Sequence, residues 1–421
     1  MNSKASRQGA AAMFRGGPAR RGFSGSTGTA AEAFGPWAFA TGGPIRATPA
    51  VADGVVYITS LDGGLYAVDA LTGKGRWRFA ISGGVHSSPA VAGGLVYFAG
   101  DGHIFAVEAA TGRQRWRYPT ENPLGSSPAV AGGIVFIGAG DCRMIALDAG
   151  TGKRRWEFTT GGYRLLPHVP PRARGIDSSP AVCDGAVYFV GADGNVYALT
   201  AASGARRWTT PMECDGRSSV AVYGGAVYGG GRGTVFALNA STGAQQWQQR
   251  VSTTFDYGVP AVADGWVYIA GRRAGSATGE LSTAGDLYAF DAATGHLHWH
   301  VPTDSWVEAS PAVGAGDVYL ATRGSSIDNA MLSAFDAATA GLRWERRINF
   351  RSVGGGLIPL DGVRSSPTVA DGVLYLGNPN GYLYAYRADT GAGAGPHREP
   401  VGQRLAYLLF RRLFGYRRPK K

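Results

Sequence analysis

Residues 146–156 read A-L-D-A-G-T-G-K-R-R-W, and that frame decides the fold. It recurs as A-x-(D/E/N/T)-x-x-(T/S)-G-x-x-x-W, ending at Trp77, Trp116, Trp156, Trp208, Trp247, Trp299 and Trp344, with one lapse at Ala340. After each tryptophan, usually twelve residues on, comes a P-A-V-x-x-G-x-V-Y-like segment. These start at Pro49, Pro89, Pro128, Pro180, Pro260, Pro311 and Pro367, with Val220 in place of proline in the fifth. Eight starts therefore face seven tryptophan ends. Trp37, twelve residues before Pro49, supplies the eighth. An open array has no use for that mismatch, whereas a closed ring does: the first strand of the chain completes the last unit.

The period of about forty residues points to a solenoid or a propeller. Inside a unit the pattern alternates with period two. V-V-Y-I-T (55–59) and L-Y-A-V-D (65–69) are β-branched and aromatic runs, bounded by Asp53-Gly54, Asp62-Gly63 and Thr72-Gly73. Such dipeptides make tight turns because glycine accepts a positive φ without steric cost. Each unit thus reads as four short antiparallel strands, A to D, with P-A-V-A as A and the W-R-F segment as D. Repeated about an axis, such units form a β-propeller. The expectation is all-β: an eight-bladed β-propeller of four-stranded antiparallel blades over residues 35–391, closed by the strand around Trp37. The tryptophans should pack flat on the neighbouring blade. Asp69, Asp148, Asn239, Asp291 and Asp336 should cap the T-G turns.

These copies of the frame, over residues 37 to about 391, resemble the tryptophan-docking repeat of the quinoprotein, or PQQ-like, β-propellers. That family includes PQQ-dependent alcohol dehydrogenases and BamB-type outer-membrane assembly proteins. The G-H…W-D signature of WD40 repeats is absent. The resemblance speaks to fold, because one fold hosts unrelated activities. For the dehydrogenase branch it would imply PQQ over an adjacent-cysteine disulfide, Ca²⁺ held by Glu, Asn and Asp, and a catalytic Asp nearby. Here Cys142, Cys183 and Cys214 are isolated from one another, and no C-x-x-C or haem motif occurs. Asp177 and Glu308 are far apart in the repeat order, and Glu121, Glu213, Asp215 and Asp256 form no recognisable cluster. No G-x-S-x-G, H-E-x-x-H or P-loop motif is present. His296, His298 and His300 alternate beside Trp299; they read as a structural strip able to take up a metal only adventitiously. Trp266, in a strand-B position, reads as packing.

The formal charge of +11 lies in the tails. Residues 1–36 carry five Lys/Arg and one Glu, and residues 397–421 eight Lys/Arg and one Glu, which together account for all of it. The repeat region is neutral, so no nucleic-acid partner is expected. Residues 1–34 read as a flexible basic segment in which Met13 is an alternative start. They show no secretory h-region and no lipoprotein cysteine, and no apolar span crosses a membrane. A cytoplasmic location is the resulting expectation. Residues 392–421 read as a linker and a basic amphipathic tail. Leu405, Leu408, Leu409 and Leu413 recur at helical spacing among Arg404, Arg411, Arg412, Arg417 and Arg418. Such a tail (404–421) can lie on an anionic membrane surface, dock on its own propeller or on a partner, or remain solvated.

Function is sought where the repeat varies. The D–A connection grows from twelve residues to 24 between Trp156 and Pro180 and to 23 between Trp344 and Pro367. The B–C loops at 271–285 and 322–330 also expand, and strand order puts all four on one face, as a binding face requires. Three residues before each A strand, around the mouth of the channel, stand Arg46, His86, Gly125, Asp177, Arg217, Tyr257, Glu308 and Arg364, flanked mostly by Ser, Ala or Gly. Polar groups converging in a concavity are the usual form of a small-molecule site. Three arginines suit a carboxylated or phosphorylated ligand. His86 and Asp177 are the candidate proton carriers, and Trp306 could stack a planar ligand. Solvated mouth residues that merely pair with one another are the alternative. The functional expectation is a ligand- or protein-binding module acting through this face. A PQQ-dependent oxidoreductase or a tailoring enzyme using the same mouth is the second reading.

Overall fold

The computed structural model describes residues 17, 19, 20, 22–24, 34–120, 125–161, 175–212, 214, 216–273, 284–323, 330–348 and 363–393. Among these residues the secondary structure is all strand, with no helix, and the strands form repeated four-stranded antiparallel units of the β-propeller kind. The first unit shows the rule. Ala50–Ala52 pairs with Val55–Thr59, which pairs with Gly64–Asp69, which pairs with Gly75–Ala80. The two middle strands carry the apolar load: Val56, Ile58, Leu65, Ala67 and Val68 have no exposed surface. The outer strand alternates exposed and half-buried positions, as one-sided packing dictates.

Trp37–Ala40, the first strand of the repeat region, pairs antiparallel with Tyr382–Arg387, the last, with Trp37 opposite Ala385. The innermost strands touch one another in chain order, and the last of them, Thr368–Ala370, also touches Ala50–Ala52.

The tryptophans join one unit to the next. Each indole Nε1 donates to the carbonyl of the alanine that follows strand C of the next unit. Trp37 bonds Ala70 at 3.0 Å, Trp77 bonds Ala109 at 3.0 Å and Trp116 bonds Ala149 at 2.9 Å. The series continues from Trp156 to Ala201, Trp208 to Ala240, Trp247 to Ala292, Trp299 to Ala337 and Trp344 to Ala388. The ring face lies on the glycine of the T-G turn. A Cβ at Gly73 would sit 2.6 Å from Trp37, and one at Gly112 2.6 Å from Trp77. This glycine therefore serves twice, for its positive φ of about 70° and for the space the indole fills. At the one lapse, Ala340 holds the same left-handed backbone (φ 61°).

The turn caps form as expected. Asp69 Oδ1 accepts from Thr72 N (2.9 Å) and Thr72 Oγ1 (2.8 Å). The same cap recurs at Asp148, Asn239, Asp291 and Asp336. Hydrogen bonds from Arg76 and from Thr72 hold the Asp69 carboxyl down at about 2, and Arg155 with Thr151 does the same for Asp148.

The units around Trp247 and Trp299 depart from the pattern. Gln245–Thr254 and Trp266–Arg273 are lengthened and pair directly, with Thr253 opposite Arg273 and Thr254 opposite Arg272. That junction encloses Asp286, which has no exposed surface. Its carboxylate accepts from Thr253 Oγ1 (2.6 Å), Arg273 and His300 Nε2 (2.8 Å). Burial raises its pKa, but the bonds from Arg273, Thr253 and His300 outweigh that and hold it low. His300 also stacks on Tyr288, and His298 stacks on Trp266 at 4.1 Å while bonding Ala338 O. His298, His300 and Trp266 are thus engaged in packing, while His296 is exposed. Among the described residues no group of three His, Cys, Asp or Glu is placed to hold a metal ion.

Candidate functional site

The start of each A strand leads the chain into the channel, and it does so with a repeated hydroxyl. The residue before each strand's proline, or before Val220 in the fifth, is Thr48, Ser88, Ser127, Ser179, Ser219, Val259, Ser310 or Ser366. Thr48 N donates to Ser88 Oγ at 2.9 Å, Ser88 N to Ser127 Oγ at 2.9 Å, Ser127 N to Ser179 Oγ at 2.9 Å, and Ser179 N to Ser219 Oγ at 2.8 Å. Val259 N donates to Ser310 Oγ, Ser310 N to Ser366 Oγ, and Ser366 N to Thr48 Oγ1, each at 3.0 Å. Val259 has no hydroxyl to offer Ser219. In the sequence these positions read only as the Ser, Ala or Gly that mostly flank the mouth residues. Their hydroxyls instead satisfy buried backbone N–H groups that no strand partner reaches, an obligation every buried donor carries.

Above this belt lies a cavity of about 490 Å³. Arg46, His86, Gly125, Asp177, Arg217, Tyr257, Glu308 and Arg364 all line it, with the belt residues as its base. The structure thus gathers the eight mouth positions singled out by spacing. Gly125 has a reason for its size: a Cβ there would fall 2.5 Å from Asp177 Oδ1. Gly140 and Gly175, at the roots of adjoining loops, complete the wall.

Charge is distributed unevenly around the mouth. Arg364 Nε donates to Glu308 at 3.2 Å. Tyr257 is sandwiched, with the Arg217 guanidinium 5.7 Å and the Arg364 guanidinium 5.1 Å from its ring centroid, and its hydroxyl is 3.3 Å from Arg217 Nη1. Cation–π contact orients both guanidiniums without neutralising them. Burial at the mouth, then the positive charges of Arg46 and Arg364, push the His86 pKa below its ordinary value, so the imidazole is neutral at pH 7. Burial pushes the Asp177 carboxyl upward, opposed by Arg217. A low-dielectric cup carrying three arginines against two carboxylates favours an anionic group.

Trp306 is not among the residues lining this cavity. It lies between the guanidiniums of Arg323 (4.8 Å) and Arg272 (5.3 Å), and its carbonyl accepts from Arg323 N at 2.9 Å. Arg272 in turn pairs with Asp256 at 3.1 Å. The arginine partners of Trp306 are not legible in the sequence because Arg272 lies at the end of a strand that outgrows the repeat and Arg323 follows the strand Asp317–Thr322, where the repeat sets no length. The greater parts of the long connections, 162–174, 274–283, 324–329 and 349–362, lie outside the described residues, as do Glu121, Glu213, Asp215 and the whole tail 394–421.

Four-stranded units closed by indoles around a polar mouth define a tryptophan-docked β-propeller. The sequence profile of one family, described as outer membrane protein assembly factor BamB, matches residues 35–231 and 231–395, and the chain belongs to that PQQ-like repeat family. Among solved structures it is similar to BamB from Moraxella catarrhalis (TM-score 0.63, 17% identity, covering 83% of this chain and 95% of that one). It is also similar to the quinohemoprotein alcohol dehydrogenase of Comamonas testosteroni (TM-score 0.70, 17% identity, 94% and 83% covered). A computationally designed protein, Ika8, matches at a TM-score of 0.62 with 15% identity, over 84% of this chain and 100% of that one. At such identities the likeness is one of fold. Comparison with curated protein sequences gives no significant match.

Proposed function

We propose that this chain is a binding or assembly module, built as an eight-bladed ring closed by the strand around Trp37. Its mouth would recognise an anionic group, presented by a small molecule or by a partner protein. The observation that carries the reading is the convergence of the eight non-repeating positions on one cavity above a regular hydroxyl belt. A fold alone needs no such variation: the girdle of tryptophans repeats one residue type, whereas the mouth uses a different side chain at nearly every unit. A cytoplasmic location is part of the proposal, as is tethering through residues 404–421 on a partner or an anionic membrane surface. Nucleic acid is not a proposed partner.

The second reading, a quinoprotein oxidoreductase, draws on the arginines, which suit the carboxylates of PQQ. The fit fails at the metal. Glu308 is bridged to Arg364, Asp177 sits beside Gly125, and among the described residues no further acid lines the cavity to complete a Ca²⁺ shell. Thermal unfolding of the full chain with PQQ, with and without Ca²⁺, separates the two readings. A saturable rise in melting temperature without Ca²⁺, shared by other tricarboxylates, supports anion recognition. A rise that requires both PQQ and Ca²⁺ would replace it with the oxidoreductase reading. For a protein partner, shortening loops 161–176 and 345–363 should abolish capture, whereas His86→Ala should leave it intact.

A further inference from the structure

The N-terminal segment, expected as a flexible tail, has described residues inside the channel. Ala19 O accepts from Val222 N (2.9 Å) and Gly22 O accepts from Val313 N (2.8 Å). Phe23–Ser24 then runs parallel to Ala312–Gly314, Phe23 opposite Val313 and Ser24 opposite Gly314. Val222 and Val313 are the central residues of innermost strands in different units. Phe23–Ser24 also touches the innermost strands Ala261–Ala263 and Thr368–Ala370.

Arg20 fixes the register. It is 1% exposed and has a left-handed backbone (φ 53°). Its guanidinium donates to the carbonyls of Pro180, Ser127 (2.9 Å) and Pro128 (3.3 Å). Those carbonyls adjoin Ser127 and Ser179, which line the mouth cavity. The segment therefore contacts units on opposite sides of the channel and heads away from the mouth, since it runs parallel to strands whose starts form that mouth.

We propose that the channel wall is a strand-accepting surface whose resident occupant is this chain's own segment 17–24. The segment closes the channel beneath the hydroxyl belt and turns the mouth site into a blind cup. Ligand then enters and leaves through the mouth face alone, whatever its identity. The central residue of an innermost strand points its N–H into the channel, away from its single strand partner. An occupied wall protects that N–H; an open wall leaves it to solvent.

Amide hydrogen exchange on the full chain tests this with an internal control. Val51 and Val91 hold the positions equivalent to Val222 and Val313 in units where the described part of the segment offers no acceptor. The Val222 and Val313 amides should exchange at least ~100-fold more slowly than those of Val51 and Val91. In Arg20→Ala the difference should collapse at Val222 and Val313, while Val227 and Val318, on the adjoining strands, keep their protection. Equal rates at the four valines in the wild-type chain would overturn the proposal, and that comparison stands even if Arg20→Ala does not fold.

Discussion

The girdle and the mouth are built from the same repeats and follow opposite rules. At the girdle, one solution recurs: tryptophan over the turn glycine, with its indole N–H on an alanine carbonyl, and Ala340 the single departure from glycine. At the mouth, the corresponding position in each unit carries Arg, His, Gly, Asp, Arg, Tyr, Glu and Arg in turn. A repeat constrained only by packing converges on one solution, as the girdle does. A position released from packing and aimed into a cavity is free to differ from unit to unit, and the proposed recognition rests on that difference.

If that division holds, the largest effect of a single truncation should come from the girdle. Trp208→Ala removes a buried indole and one of the two donors to the Ala240 carbonyl, the other being Tyr188 Oη. It should cost about 3–5 kcal/mol, measured by denaturant unfolding. A loss below about 1 kcal/mol would show that the indoles do not hold neighbouring units together.

The mouth should respond to pH instead. His86 is held neutral by burial and by Arg46 and Arg364, and Asp177 is pushed upward by burial. On acidification His86 gains a charge at a pH below 6.5, and Asp177 loses one at a pH above its ordinary 3.8. Both changes make the cup more positive. Affinity for a strong-acid anion such as sulfate should therefore rise as pH falls from 7 towards 5, by roughly three- to ten-fold. His86→Ala should flatten most of that slope. Calorimetric titration at stepped pH reads it directly, and weakening on acidification would contradict the assignment.

The smallest effect concerns the one imperfect dock. Ala340 occupies a left-handed conformation that every other T-G turn gives to glycine. Ala340→Gly should raise stability by about 0.5–1 kcal/mol, because the strain of a Cβ at positive φ outweighs the added freedom of the unfolded chain. Thermal unfolding checks the sign.

What was legible in the sequence was whatever spacing fixes. The frame ending at Trp156 and its copies placed the strands, the turn caps and the eight mouth residues, because a strict repeat transfers register from unit to unit. Counting alone singles out Trp37 as the tryptophan that the later starts lack, and in the structure it lies opposite Ala385. The rest escaped because it lies outside the repeat. Arg20 belongs to no unit, and nothing around it alternates or recurs, so its burial depends on a channel that only the assembled fold supplies. The direct pairing of Thr253 with Arg273 arises from two strands outgrowing their templates, and the buried Asp286 follows from that growth. Trp306 meets Arg272, at the end of a strand that outgrows the repeat, and Arg323, just beyond Asp317–Thr322, and the repeat sets the length of neither segment.

The division between girdle and mouth is tested most directly by comparing the wild-type chain with Arg46→Ala/Arg217→Ala/Arg364→Ala, using PQQ as a tricarboxylate probe in calorimetric titration, with thermal unfolding alongside. The prediction is saturable binding by the wild type, at least ~10-fold weaker in the triple variant, with melting temperatures that agree to within a few degrees. Failure of the wild type to bind, or equal affinity in both chains, would contradict the mouth's assignment as an anion-recognition site.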